Sequence, residues 1–122
     1  MSLVYSHLLS IYEKRGGIYA VLLDPDKKNH GIIESTVAQA NESDVDVLLV
    51  GGSLMMDGKN HNRIRDIKEQ SKIPVVFFPG SVSQLNSYYD AVLFLSVLSG
   101  RNPHYLIGEQ VISAPIIKDL GL

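Results

Sequence analysis

Four short hydrophobic runs, each ending in glycine, proline or a small polar residue, constrain the fold of this chain most strongly. They occupy residues 18–23, 47–50, 75–78 and 91–98. Because apolar and polar residues do not alternate within them, the runs are typical of parallel strands covered by helices on both faces. The loops that follow would share the carboxyl edge of one sheet, where α/β proteins bind ligands. The pattern predicts phosphate chemistry on an α/β scaffold.

The segments between the runs have helical spacing and separate the strands by about the length of βα units. We predict strands over residues 18–23, 45–50, 74–78 and 91–97, and helices over residues 4–15, 31–41, 60–71, 81–87 and 104–119. The fold class is therefore α/β, with four βα units behind an extra amino-terminal helix in a single domain, residues 1–122. We expect the chain to be truncated before a fifth strand. A rearranged, flavodoxin-like sheet is the alternative architecture.

Composition excludes several classes of protein. The chain of 122 residues is 45% hydrophobic and 20% charged, and its 11 basic and 13 acidic side chains give a net charge of −2. The sequence has no cluster of lysine and arginine of the kind that would indicate a nucleic-acid partner. The absence of cysteine excludes disulfides and thiolate zinc sites. No apolar stretch reaches the eighteen or more residues of a transmembrane helix, and no signal peptide is recognisable, so we expect a cytoplasmic protein.

The segment Asp24-Pro25-Asp26-Lys27 carries the most chemistry. Pro25 biases Asp24 toward extended backbone, which would place the Asp24 carboxylate at the end of the strand and at the mouth of the sheet. A carboxylate there is a suitable Mg²⁺ ligand beside phosphate oxygens, and Lys27 would supply a point charge for phosphate. The alternative interpretation is an ordinary turn.

Glycine-rich segments follow the second and third strands. Gly51 and Gly52 would offer backbone N–H groups to phosphate, and the hydroxyl of Ser53 would reach the same metal as the first strand's carboxylate. Pro79 and Gly80 repeat the pattern after strand three. Structural turns are the competing interpretation of both segments.

Four segments in order resemble the geranylgeranylglyceryl phosphate synthase family, which includes bacterial heptaprenylglyceryl phosphate synthases: YAVLLDPDK, DVDVLLVGGSLM, IPVVFFPGS and LSGRNPHYLIGEQV. The resemblance extends over about residues 4–122 and implies half of a TIM (β/α)₈ barrel. It also implies a magnesium-dependent prenyltransferase that joins a polyprenyl diphosphate to the hydroxyl of sn-glycerol 1-phosphate.

By position, the resemblance makes Asp24 the magnesium ligand and Ser53 the second oxygen near the ion. Pro79, Gly80 and Tyr105 would border an apolar groove for the prenyl tail. Leu22 departs from the pattern, because many members have lysine there.

Length is the larger departure from the family. A full barrel has eight βα units and about 250 residues, and the family's Tyr-x-Glu segment, with its glutamate proposed as base, has no counterpart here. We therefore expect an amino-terminal half that is inactive alone and contains no identifiable catalytic base. Its unpaired strand edges predict a homo-oligomer. Another phosphate-binding TIM-barrel enzyme, or a non-catalytic phosphate-binding or oligomerising half-barrel, remains the alternative.

Overall fold

A computed structural model describes residues 2–52 and 58–122, apart from the side chain of Lys27. The helices are α1 Leu3–Arg15, α2 His30–Glu42, α3 Asn60–Gln70 and α4 Glu109–Leu120. The strands are β1 Ala20–Leu23, β2 Val47–Val50, β3 Val75–Phe77 and β4 Ala91–Val92. Strands and helices alternate after α1, as the hydrophobic runs predict.

The four strands form one parallel sheet in the order β1-β2-β3-β4. At the carboxyl edge, Leu23 is in register with Val50, and Val50 with Phe77. Consecutive order is that of an arc of a barrel, whereas a flavodoxin-like sheet places its first strand between the second and third. The half-barrel prediction is confirmed, and the flavodoxin-like alternative is wrong.

The core lies where α2 and α3 cover the sheet. Val37 of α2 and Ile64 and Ile67 of α3 are fully buried against Leu48 and Val75. Full burial of such a side chain contributes about 1.5–3 kcal/mol each. This core fixes the strands and so holds their carboxyl edge in place. Along α2, Ile33, Val37 and Ala40 are buried, and Ile32 is exposed.

The amino-terminal helix contributes nothing to the core. None of its described residues is buried. The helix is instead tied to the sheet by polar contacts: Arg15 pairs with the carboxylate of Asp46, which also accepts a hydrogen bond from the backbone N–H of Tyr19 at 2.7 Å. These contacts lie at the amino edge, away from the ligand-binding edge.

The last predicted strand is much shorter than residues 91–97. Sheet pairing stops at Val92, and only the N–H of Leu93 still donates to the carbonyl of Phe77, at 3.0 Å. On its far side β4 has no partner strand among the described residues. The predicted helix over 81–87 is a single 3₁₀ turn, Val82–Gln84, and a π-helical turn, His104–Gly108, precedes α4.

Across residues 2–52 and 58–122, no helix is long and apolar enough to cross a bilayer.

Candidate functional site

The loops after β1, β2 and β3 converge at the carboxyl edge through three glycines. A Cβ atom on Gly51 would lie 1.8 Å from the carbonyl oxygen of Phe78, and one on Gly80 would lie 2.1 Å from the carbonyl oxygen of Gly52. A Cβ on Gly52 would lie 2.5 Å from Oδ1 of Asp24. The contacts at Gly51 and Gly80 are with backbone atoms, so the close approach of these loops requires glycine at both positions. The structure thus brings four of the predicted site residues together.

Asp24 is held as a turn residue and is still accessible. Its Oδ1 accepts a hydrogen bond from the backbone N–H of Asp26 at 3.1 Å, and its backbone carbonyl accepts one from Nδ2 of Asn29 at 3.0 Å. The side chain is 34% exposed, and Oδ2 lies 3.8 Å from Nζ of Lys28. The segment therefore forms a turn, and this turn leaves one carboxylate oxygen facing a cation and solvent.

The positive charge beside Asp24 comes from a residue that the sequence reasoning missed. Lys28 lies four residues after Asp24 and forms an ion pair with it. Helical spacing could not have signalled this pair, because Asp24 lies before the 3₁₀ turn Lys27–Asn29. The side chain of the predicted residue, Lys27, lies outside the described part of the structure. The predicted metal ligand Ser53 does so too.

Two buried polar side chains hold these loops through hydrogen bonds to their backbone, and the sequence reasoning singled out neither of them. Nε of Arg63, on α3, donates to the carbonyl oxygen of Pro25 at 2.6 Å. Nε2 of Gln84, on the 3₁₀ turn after β3, donates to the carbonyl oxygen of Gly52 at 2.8 Å. Both side chains approach the carboxyl edge from distant parts of the sequence and limit how far the loops can move.

An apolar pocket of about 150 Å³ opens beside this edge. It lies between the loop after β3, the segment after β4, and α4. Its lining includes Pro79, Gly80, Phe94, Leu95, Tyr105 and Ile117. The structure therefore places the three residues predicted to border an apolar groove in one pocket.

Hydrogen bonds from α4 shape the pocket wall. Nε2 of Gln110 donates to the carbonyl oxygens of Leu95 and Tyr105, at 2.5 and 3.2 Å. The carboxylate of Glu109 accepts a hydrogen bond from the backbone N–H of Val82 at 3.3 Å. These contacts join α4 both to the segment after β4 and to the turn after β3, so the pocket is formed without a long fourth strand.

Among the described residues, the carboxyl edge offers one accessible carboxylate, that of Asp24. Within residues 2–52 and 58–122, no group of three or more histidine, cysteine, aspartate or glutamate side chains is placed to hold a metal. Mg²⁺ commonly takes only one or two protein carboxylates and fills its remaining positions with water and phosphate oxygens. A single accessible carboxylate such as that of Asp24 is compatible with such a site.

Comparison with known proteins gives a family match over most of the chain. The model of the PcrB family matches residues 9–121. A geranylgeranylglyceryl phosphate synthase of Chitinophaga pinensis is 43% identical over 119 residues, which are 98% of this chain and 47% of the relative. One of Flavobacterium johnsoniae is 38% identical over 122 residues, covering 100% of this chain and 50% of the relative.

Solved structures give the same result. Wild-type GGGPS from Thermoplasma volcanium superposes with a TM-score of 0.83 at 26% identity, covering 100% of this chain and 49% of that one. The Thermoplasma acidophilum enzyme, solved in complex with its substrate sn-glycerol-1-phosphate, gives 0.74 at 26% identity, covering 98% and 48%. The chain spans about half the length of the curated relatives it matches.

Proposed function

The chain belongs to the PcrB family, as its four motifs predicted, and from this premise we propose that it carries one half of a prenyltransferase site. The reaction is transfer of a geranylgeranyl or other polyprenyl group from its diphosphate to sn-glycerol 1-phosphate. This half supplies the side that binds the metal and the diphosphate. The names of the matched relatives and the substrate of the T. acidophilum enzyme support this assignment.

One observation carries the proposal: a short series of contacts leads from a carboxylate to an apolar pocket. Asp24 lies against Gly52, Gly52 lies against Gly80, and Gly80 lines the pocket. A polyprenyl diphosphate has the matching shape, with an anionic head joined to an apolar tail. The head would lie near Asp24 and the tail in the pocket, beside Pro79 and Tyr105.

At the head of the substrate, Asp24 and Ser53 would hold magnesium. A magnesium ion held there would supply positive charge to stabilise the diphosphate as a leaving group. Lys28 is placed to add a point charge, and Lys27 remains a proposed phosphate contact. The backbone N–H of Gly51 donates to the carbonyl oxygen of Leu23 within the sheet. We therefore assign the proposed backbone contact with phosphate to the N–H of Gly52.

Binding of glycerol phosphate and removal of its hydroxyl proton belong, on this proposal, to the other half of the barrel. We expect no turnover from the 122-residue chain alone.

Self-association is part of the proposal. Each of the edge strands β1 and β4 pairs on one side only within the described sheet. Large apolar side chains are also exposed, among them Leu22, Phe94 and Leu98. Unpaired edges and exposed apolar surface favour association with another chain. Sedimentation velocity should show at least a dimer; a monomer at micromolar concentration would contradict this part.

The activity is tested by restoring the other half. Residues 1–122 would be joined to the remaining half of the C. pinensis relative and assayed with Mg²⁺, geranylgeranyl diphosphate and sn-glycerol 1-phosphate. We expect prenyl transfer by the fusion, and a loss of about a hundredfold or more in its Asp24→Asn variant, because charge stabilisation of the leaving group is removed.

Asp44→Asn is the matched control, since Asp44 is exposed and precedes β2 at the opposite edge of the sheet. It should leave the rate unchanged. An inactive but folded fusion, or full activity of Asp24→Asn, would refute the proposed function.

A further inference from the structure

We propose that Gln84 is a positioning residue for the carboxylate of Asp24. The side chain of Gln84 does not reach Asp24 but holds Gly52, against which that carboxylate lies. The functional consequence rests on the proposed role of Asp24 as a metal ligand. The positioning itself follows from contacts at the carboxyl edge and holds with or without a metal.

The side-chain amide of Gln84 bridges two loops. Gln84 is only 3% exposed. Its Nε2 donates to the carbonyl oxygen of Gly52 at 2.8 Å, and its Oε1 accepts from the backbone N–H of Gly80 at 3.4 Å. One buried amide thus uses its donor on the loop after β2 and its acceptor on the loop after β3. A buried amide satisfied at both ends fixes the spacing of the groups that it joins.

Gly52 passes this constraint to Asp24. The ideal Cβ position of Gly52 lies 2.5 Å from Oδ1 and 3.0 Å from Cγ of Asp24, so the backbone of Gly52 forms a wall beside the carboxylate. On the other side, the N–H of Asp26 donates to the same Oδ1 at 3.1 Å. The carboxylate is therefore oriented between a wall and a donor. Loss of the side-chain amide of Gln84 would allow the backbone of Gly52 to move, and the carboxylate of Asp24 could then rotate.

Amide hydrogen exchange at Asp26 measures this orientation directly, because its N–H is protected by Oδ1 of Asp24. The variants are Gln84→Met, which removes both hydrogen bonds, and Gln84→Glu, which keeps the acceptor for Gly80 but loses the donor to Gly52. We expect exchange at Asp26 to accelerate about tenfold in both, with the Leu48 amide, central in the sheet, unchanged.

Gln39→Met is the matched control, because Gln39 is an exposed residue of α2. It should leave exchange at Asp26 as in the wild type. If Gln84→Met does not fold, Gln84→Glu still decides the question, since it has the same length and keeps one bond. Equal exchange of Asp26 in wild type and Gln84→Glu, or equal acceleration at Asp26 and Leu48, would overturn the proposal in favour of a purely structural role.

Metal affinity gives the second readout. Mn²⁺, used as a paramagnetic substitute for Mg²⁺, would be titrated into the 122-residue chain. We expect binding about tenfold weaker in Gln84→Met than in wild type, as for other residues that orient metal ligands, and unchanged binding in Gln39→Met. If Asp24→Asn weakens Mn²⁺ binding, wild-type affinity in Gln84→Met would overturn the proposal. If Asp24→Asn binds Mn²⁺ like the wild type, the metal role of Asp24 fails, and the exchange at Asp26 still decides the role of Gln84.

Discussion

At the scale of single residues, the convergence of three loops depends on the absence of side chains. Gly51 faces the carbonyl oxygen of Phe78, and a Cβ atom added to Gly51 would lie only 1.8 Å from that oxygen. The contact is with backbone, which cannot rotate out of the way. Loop spacing at the carboxyl edge is therefore set by glycines, and any larger residue must separate β2 from the loop after β3.

Gly51→Ala should destabilise the fold by about 1–3 kcal/mol, because the added methyl group overpacks a backbone contact. Gly31→Ala is its control: Gly31 lies in α2, where a Cβ meets nothing within 4 Å, and alanine there should be neutral or stabilising by up to about 1 kcal/mol. Urea unfolding of both variants measures the difference. Equal stabilities would show that the loops do not approach as described.

The environment of Tyr89 predicts that the stability of the fold decreases at alkaline pH. Tyr89 is buried and stacks on Phe77 with ring centroids 4.8 Å apart. Its hydroxyl makes no well-formed hydrogen bond within the described residues, although the side chain of Asn86 lies near enough to lower its pKa slightly against the larger effect of burial. Burial raises the pKa of Tyr89 above its ordinary value of 10.0. The folded state therefore keeps the proton while the unfolded state loses it. The stabilisation from the neutral phenol is complete below pH 10 and declines as the pH rises above 10.

Tyr89→Phe should remove this contribution. At pH 7 we expect it to be neutral or stabilising, because it deletes an unsatisfied buried hydroxyl. Above pH 10, the variant should gain up to about 1.4 kcal/mol per pH unit relative to the wild type. Urea unfolding from pH 7 to 11 provides the comparison, with Tyr5→Phe on the exposed face of α1 as control. Parallel pH profiles of Tyr89→Phe and wild type would refute the account.

Site residues differed in how far the sequence revealed them. Asp24 and the glycines could be predicted, because each directly follows a recognisable strand. Gln84 and Arg63 could not, since their hydrogen bonds reach 32 and 38 residues along the chain, to Gly52 and Pro25. Such contacts depend on how α3 and the 3₁₀ turn pack over the strand ends, which local pattern does not encode.

At the scale of elements, β4 is the weakest part of the sheet, and its start is held by a polar cluster. The carboxylate of Asp90, just before β4, lies 2.7 Å from Nζ of Lys68 on α3 and accepts a hydrogen bond from the N–H of Val75 at 2.8 Å. One side chain thus joins α3, β3 and β4. With two residues in the ladder, the position of the strand depends on that anchor.

Asp90→Ala should therefore cost about 1–3 kcal/mol, because it leaves the Val75 N–H unsatisfied and Lys68 without its partner. Asp66→Ala is the matched control, since Asp66 pairs with Arg65 at the surface of α3 and such pairs contribute about 1 kcal/mol at most. Thermal unfolding at equal pH measures both. If Asp90→Ala and Asp66→Ala lower the stability of the fold equally, the cluster does not anchor β4.

The hydrophobic pattern of the sequence predicted that these strands exist, but it did not predict how long each strand is. Apolar residues continue to Leu98, yet the ladder of β4 ends at Val92. A strand is extended by pairing, and on its far side β4 lacks a neighbour among the described residues. Residues that read as strand instead line the apolar pocket, held by the side chain of Gln110.

At the scale of the whole molecule, the parallel arrangement of the strands could be predicted, because segments of βα length separate them. The consecutive strand order was implied by the family resemblance alone, since a flavodoxin-like sheet uses units of the same length. The match to about half the length of its relatives agrees with four strands where a full barrel has eight. The carboxyl edge brings Asp24, the glycines and the apolar pocket together, and it is the basis of the proposed binding of a polyprenyl diphosphate.

Calorimetric titration of the 122-residue chain with geranylgeranyl diphosphate, with and without Mg²⁺, tests that claim most directly. The account predicts Mg²⁺-dependent binding in the wild type and in Asp44→Asn. It predicts binding weaker by about tenfold or more when Mg²⁺ is withheld or Asp24 is replaced by asparagine. Binding of equal strength in Asp24→Asn and the wild type would contradict the assignment of this edge as a metal and diphosphate site.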